Sequence, residues 1–93
     1  MIIGLLEIKL SMPGNYSLKD KRMILRSLKD RVHQKFNVSI AEVGAHDKWC
    51  TALLAAAVVT SDRAHAHQVL ESVVAFVRGR GDAVLTDYQI EMM

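Results

Sequence analysis

The spacing of the apolar residues switches between a strand-like and a helix-like period along the 93-residue chain, and this switching constrains the fold most strongly. In four segments, apolar and polar residues alternate or both faces are apolar. This pattern predicts strands at residues 2–11, 37–44, 49–60 and 83–92. Apolar side chains at helical spacing predict two helices, one over residues 17–36 and one from Ser61 or Asp62 to about Arg78. The predicted order is βαββαβ.

Residues 49–60 have a competing interpretation, because the segment is rich in alanine and so also suits a helix. Its short length and β-branched end favour a strand. Both of its faces are apolar or small, which is typical of a central strand. In residues 83–92, one face is predicted to carry Val84, Thr86, Tyr88, Ile90 and Met92.

This order predicts an α+β fold in which two split βαβ units place two helices on one face of a four-stranded antiparallel sheet. That is the ferredoxin-like arrangement. A chain of 93 residues suffices for one domain, so we expect residues 1–93 to form a single ferredoxin-like domain.

The sheet face opposite the helices is predicted to expose Ile3, Leu5 and one side of residues 49–60. An apolar patch on a small protein usually marks an interface. We therefore expect a homodimer through the sheet or its edge, and the alternative is a monomer that tolerates the patch.

Cysteine content and hydropathy restrict the cellular setting. A single cysteine, Cys50, excludes an intramolecular disulfide, and we expect it at the start of a buried strand. No run reaches the ~18 apolar residues of a membrane span. The apolar N-terminus lacks a basic leader and is interrupted by Glu7, so it indicates a strand rather than a signal peptide. These features predict a cytoplasmic protein without membrane contact.

The first predicted helix carries cations on one side. We call this set the basic stripe: Lys19, Arg22, Arg26, Lys29 and His33. At ~100° per residue they fall within about 80° of arc. Like charges at spacings of three and four residues repel one another, which favours an anionic partner such as RNA phosphates. The alternative is a solvated helix face.

Two further features extend the predicted phosphate-binding site beyond the basic stripe. Lys21 lies among the apolar residues of the helix, close to the predicted N-cap Ser17. A helix N-terminus with nearby lysines can bind phosphate, and the alternative is an ion pair between Lys21 and Glu42 or another acid. Trp49 can stack a base, and its alternative is packing at the margin of the core. The predicted RNA-binding set is Lys19, Lys21, Arg22, Arg26, Lys29 and Trp49.

Neither metal binding nor catalysis is predicted. His65 and His67 lie two residues apart on a helix and diverge, while His33, His46 and Cys50 lack ligand spacing. Glu42 and His46 have no nucleophile or second carboxylate beside them, and residues 12–16 contain no arginine of the kind that cradles phosphate in acylphosphatases. We therefore expect no cofactor, no metal and no enzymatic activity.

Several short motifs together resemble the YlxP-like bacterial family. They are Ser17-Leu18-Lys19-Asp20-Lys21-Arg22, Ser27-Leu28, residues 36–44, Asp47 and Trp49. Family members often have glutamine after the tryptophan, where this chain has Cys50. No enzymatic activity is established for the family, and its gene often lies beside genes for a translation initiation factor and a ribosome-binding factor.

The resemblance implies a role in translation or ribosome maturation. Together with the basic stripe it predicts a small non-enzymatic factor that binds ribosomal RNA or the small ribosomal subunit. The alternative is a homodimeric protein-interaction or ligand-sensing module that uses the apolar sheet face.

Overall fold

The computed structural model describes all residues from 1 to 93 and has the ferredoxin-like α+β fold. Its elements are β1 (Ile2–Ser11), α1 (Leu18–Lys35), β2 (Ser39–Gly44), β3 (Thr51–Thr60), α2 (Arg63–Arg78) and β4 (Val84–Met92). The strands form one antiparallel sheet in the order β2-β3-β1-β4. The predicted fold class and the central position of β3 are thereby confirmed.

The core lies between the sheet and the two helices, because alternate residues of the central strands face the helices. Leu6, Ile8 and Leu10 of β1 are almost fully buried, as are Ala52 and Leu54 of β3. They join a single cluster of 17 buried residues with the apolar sides of α1 and α2. The outer residues of β3 are partly or fully exposed, so the helices cover only one face of the sheet.

Both helices begin at the residues whose side chains favour an N-cap. The Ser17 hydroxyl accepts a hydrogen bond from the backbone N–H of Asp20 at 3.1 Å. The Asp62 carboxylate accepts from the N–H groups of Ala64 at 2.9 Å and His65 at 3.3 Å. These bonds satisfy donors that have no partner within the helix, which explains why each helix begins where it does.

Two predictions about the strands are wrong. β3 begins at Thr51, so Trp49 and Cys50 lie in the loop before it and Cys50 is exposed rather than at the start of a buried strand. In β4, the register against β1 shifts between Lys9 and Leu10, which leaves Thr86 without an opposite residue.

This β-bulge moves the residues before it to the other face. Leu85 packs against the core together with Tyr88, Ile90 and Met92, whereas Val84 is exposed. A strict alternation cannot anticipate the change, since one inserted residue reverses the faces of everything beyond it.

The helices are too short or too polar to cross a membrane: neither meets the length and hydropathy that a spanning segment requires.

Gly4 of β1 provides a test of the packing between the sheet and α2. A Cβ atom at this position would lie 3.0 Å from Leu70 Cδ1 and 3.1 Å from Val58 Cγ1. We expect Gly4→Ala to lower the free energy of unfolding in urea by about 1–3 kcal/mol through overpacking. Gly81→Ala is the control, since it meets nothing within 4 Å, and an equal effect of both substitutions would contradict the packing described.

Candidate nucleic-acid interface

The basic stripe is exposed along α1 and has no acidic partners. Lys19, Arg22 and Arg26 are exposed, and Lys29 is partly buried. The only ion pairs within 4.0 Å in the molecule join Lys21 to Glu42 and His67 to Glu71. The four cations are therefore available to a partner with negative charge.

The opposite side of α1 faces the loops that precede α1 and β4. Asp20, Met23 and Ile24 line a groove there together with residues 12–15 and Asp82. At ~100° per residue, the basic stripe lies on the other side of the helix from Asp20 and Ile24. Its cations therefore point away from Asp20 and Asp82, whereas Asp30 lies at the edge of the stripe, four residues after Arg26, and lines a second groove with it.

Lys21 has a different environment, because its side chain is buried beneath the loop between β2 and β3. Its residue exposure is 1%. The Nζ atom donates to the carbonyl oxygens of Ala45 and Lys48, each at 2.6 Å, and lies 2.9 Å from Glu42 Oε2. The two carbonyls accept hydrogen bonds from the ammonium group, whereas Glu42 Oε2 is close enough to pair with its charge but accepts no hydrogen bond.

Lys21 is therefore not available to a phosphate, and its assignment to the RNA-binding set is wrong. The alternative, an ion pair with Glu42, is the arrangement observed. Two backbone carbonyls complete the site.

Ala45 explains why the loop needs this support. It adopts a left-handed backbone conformation, with φ at 56°. A residue with a Cβ atom reaches this conformation at a cost of roughly 1–2 kcal/mol. The hydrogen bond from Lys21 to the Ala45 carbonyl holds the loop in that shape.

Further hydrogen bonds join the β2–β3 loop to the loop between β1 and α1. The backbone N–H of Met12 donates to the Cys50 carbonyl at 2.9 Å. Asn15 Nδ2 donates to the carbonyl of Trp49 and to that of Ser17. Residues 12–17 and 45–50 thus form one cross-linked surface next to the N-terminus of α1, which we call the loop end.

Two aromatic rings meet at the loop end. The centroids of Tyr16 and Trp49 lie 6.1 Å apart at a tilt of 60°. Tyr16 is 77% exposed and Trp49 is 45% exposed, and neither belongs to the cluster of buried core residues. The structure places Trp49 beside Tyr16, and sequence reasoning missed Tyr16 altogether.

Comparison with known proteins places the chain among relatives of uncharacterised function. Residues 3–90 match the family described as "Protein of unknown function (DUF503)". The chain belongs to this family. A relative from Bacillus subtilis (strain 168), described as "Uncharacterized protein YlxP", is 38% identical over 76 residues, which cover 82% of this chain and 83% of the relative.

Membership in the DUF503 family confirms the resemblance to YlxP-like proteins. The family description assigns no activity, ligand or partner, so the functional argument depends on the geometry of the site.

The outer sheet face is the other candidate surface of this DUF503-family chain. Leu53 and Val59 of β3 are exposed at 37% and 66%, and Ile3 and Leu5 of β1 are partly buried. Glu7 and Lys9 follow on the outer face of β1. The apolar patch is therefore present as predicted, but charged residues border it towards the C-terminal end of β1.

The remaining histidine, cysteine and acidic side chains do not cluster as the ligands of a metal ion do. No group of three or more His, Cys, Asp or Glu side chains lies close enough to hold a metal ion. His67 Nε2 lies 3.8 Å from Glu71 Oε1 on the surface of α2, where both side chains are substantially exposed.

The buried lysine can be tested by removing its charge. Lys21→Met leaves Glu42 without its counter-charge and the two carbonyls without their donor, so we expect the free energy of unfolding in urea to fall by about 3–5 kcal/mol. Glu42→Gln keeps an oxygen acceptor and should have a smaller effect. Lys19→Met is the control and should change stability by less than about 0.5 kcal/mol, since Lys19 is exposed. Equal stabilities of the Lys19 and Lys21 variants would contradict the buried site.

Proposed function

We propose that this protein is a small non-enzymatic factor that binds RNA of the small ribosomal subunit in the cytoplasm, in translation or ribosome maturation. Phosphates bind along the basic stripe, and Trp49 adds a contact at the loop end. The observation that carries the proposal is that Lys19, Arg22 and Arg26 are exposed and that neither they nor the partly buried Lys29 form an ion pair within 4.0 Å.

Three properties of the basic stripe support contact with phosphates. Its cations lie on a regular 18-residue helix, so their spacing is preset before any partner binds. They repel one another, and this repulsion is relieved when an anionic surface neutralises them. Phosphate contacts supply affinity and orientation without reading sequence, which matches a stripe whose donors are mainly lysine and arginine side chains.

The sheet itself gives no support for base recognition. RNA-recognition motifs stack bases on aromatic side chains of the central strands. The outer faces of β1 and β3 carry aliphatic and charged residues such as Leu5, Glu7 and Leu53. RNA therefore binds α1 and the loop end in this proposal, not the sheet.

Charge reversal on the basic stripe tests the proposal. If four phosphates of a duplex are neutralised, the logarithm of the association constant should fall with the logarithm of salt concentration at a slope of about −3.6. Arg22→Glu combined with Arg26→Glu should abolish cosedimentation with purified small ribosomal subunits. In binding to a duplex RNA, the same variant keeps at most two of the four phosphate contacts, so its salt slope should be about −1.8 or closer to zero.

A matched control separates the position of the charges from their number. Arg31→Glu combined with Arg63→Glu changes net charge equally, but both arginines are exposed outside the basic stripe. This control should bind small subunits nearly as wild type does. The proposal fails if the stripe variant and the control bind equally well at both low and high salt.

A second function is favoured by the exposed apolar patch around Leu53 and Val59. In this alternative, the protein is a homodimeric interaction or ligand-sensing module, and the outer sheet face is the contact surface. Burial of aliphatic side chains drives such association, so it should be insensitive to salt.

Changing one aliphatic residue to a charge tests this second function. Leu53→Lys should convert a dimer to a monomer in sedimentation equilibrium without loss of the fold, because the side chain lies outside the core cluster. Gln68→Lys, which adds the same charge at an exposed position of α2 away from this sheet face, is the control and should leave the dimer intact. A wild-type protein that is monomeric at all concentrations tested would exclude the homodimer.

A further inference from the structure

We propose that Tyr16 and Trp49 form a stacking site for an unpaired RNA base, which makes the protein prefer single-stranded or looped RNA to a continuous duplex. This inference rests on the proposed function and specifies the kind of RNA that it binds. Sequence reasoning raised Trp49 alone as a contact. The site itself depends on Tyr16, which lies against Trp49.

The two rings are exposed for no reason that the fold supplies. Most large aromatic side chains bury their surface in a core or an interface. Phe36 and Phe76 do so here: their centroids lie 5.9 Å apart in an edge-to-face contact, and both pack against the core. Tyr16 and Trp49 contact one another outside the core, so their outer ring faces remain available to a planar ligand.

The backbone beneath both rings is fixed by hydrogen bonds. Asn15 bridges the carbonyls of Ser17 and Trp49, and Lys21 holds the carbonyl of Lys48, the residue before the tryptophan. A ligand that stacks on this pair therefore needs to order little of the loop, so the entropic cost of binding is small and affinity is favoured.

Charge selects a nucleotide over an apolar peptide as the occupant. Lys19 lies in the first turn of α1, three residues after Tyr16, and Lys48 directly precedes Trp49. Both are exposed, so each ring has a cation close to it in the chain. The acids nearby are Asp47 in the same loop and Asp20 beside Lys19, so in this proposal the phosphates bind towards the basic stripe and away from both.

The geometry also favours an unpaired base. The 60° tilt leaves no parallel slot between the rings, so a base stacks on an outer face of one ring. In a continuous duplex the faces of the bases are covered by their neighbours, and only an unpaired or splayed base presents a free face. Stacking depends little on base identity, so selectivity for strandedness is expected without selectivity for sequence.

The test compares two RNA probes of equal phosphate number, a single-stranded oligouridylate and a duplex. Trp49 is the only tryptophan, so intrinsic fluorescence reports its environment directly. The single strand should quench this fluorescence. Trp49→Ala and Tyr16→Ala should each weaken single-strand binding, measured by anisotropy of labelled RNA, by about 5- to 100-fold. Duplex binding should change less than twofold, and Trp49→Phe should retain most single-strand affinity.

Val59→Ala is the matched control, because it also truncates an exposed apolar side chain but lies on the outer sheet face. Thermal unfolding of each variant verifies the fold. The stacking site is overturned if single-strand binding leaves the fluorescence unchanged, or if the aromatic variants weaken both probes equally. If neither probe binds the wild-type protein, both the stacking site and the proposed function are overturned. Retained duplex binding without a role for the rings overturns the stacking site alone.

Discussion

The buried ammonium of Lys21 is the interaction on which the rest of this surface depends. A charge removed from water costs several kcal/mol unless it is paired and hydrogen-bonded. Here Glu42 supplies the opposite charge and the carbonyls of Ala45 and Lys48 supply two short hydrogen bonds. The helix, strand β2 and the following loop must therefore fold together, and the left-handed backbone at Ala45 is tolerated because the bond from Lys21 compensates for it.

The same helix thus uses its lysines and arginines in two ways. Lys21 is directed inward and holds the loop end in place. On the basic stripe, Lys19, Arg22, Arg26 and Lys29 form no ion pair within 4.0 Å. The inward contact makes the outward surface rigid, because it fixes α1 against the hairpin that carries Trp49. The basic stripe and the Tyr16–Trp49 pair then lie on neighbouring parts of one body, where both contact the RNA in the function that we propose.

Most of the fold could be predicted from the sequence because its determinants are local. The apolar spacing of each element, the caps at Ser17 and Asp62 and the small residues of β3 all act within a few positions of the chain. The bulge in β4 escaped prediction, since it depends on pairing with β1 rather than on the strand itself.

The candidate site was predictable only in part. Helical spacing alone placed the basic stripe on one side of α1. The role of Lys21 remained open between a phosphate and Glu42, because carbonyls from residues 24 and 27 positions away decide it. The contact of Tyr16 with Trp49 could not be predicted from the sequence. It depends on the hydrogen bond from Asn15 to the Trp49 carbonyl, 34 residues away, and neither loop has a regular sequence pattern.

Lysine acetylation footprinting tests most directly whether one side of α1 meets ribosomal RNA while Lys21 stays inside. The protein is labelled alone and with purified small ribosomal subunits, and each lysine is quantified by mass spectrometry. The account predicts slow labelling of Lys21 throughout, protection of Lys19 and Lys29 by the subunits, and no protection of Lys9 on the sheet. Labelling of Lys21 as fast as Lys19 in the free protein, or protection of Lys9 with Lys19 and Lys29 unchanged, would contradict it.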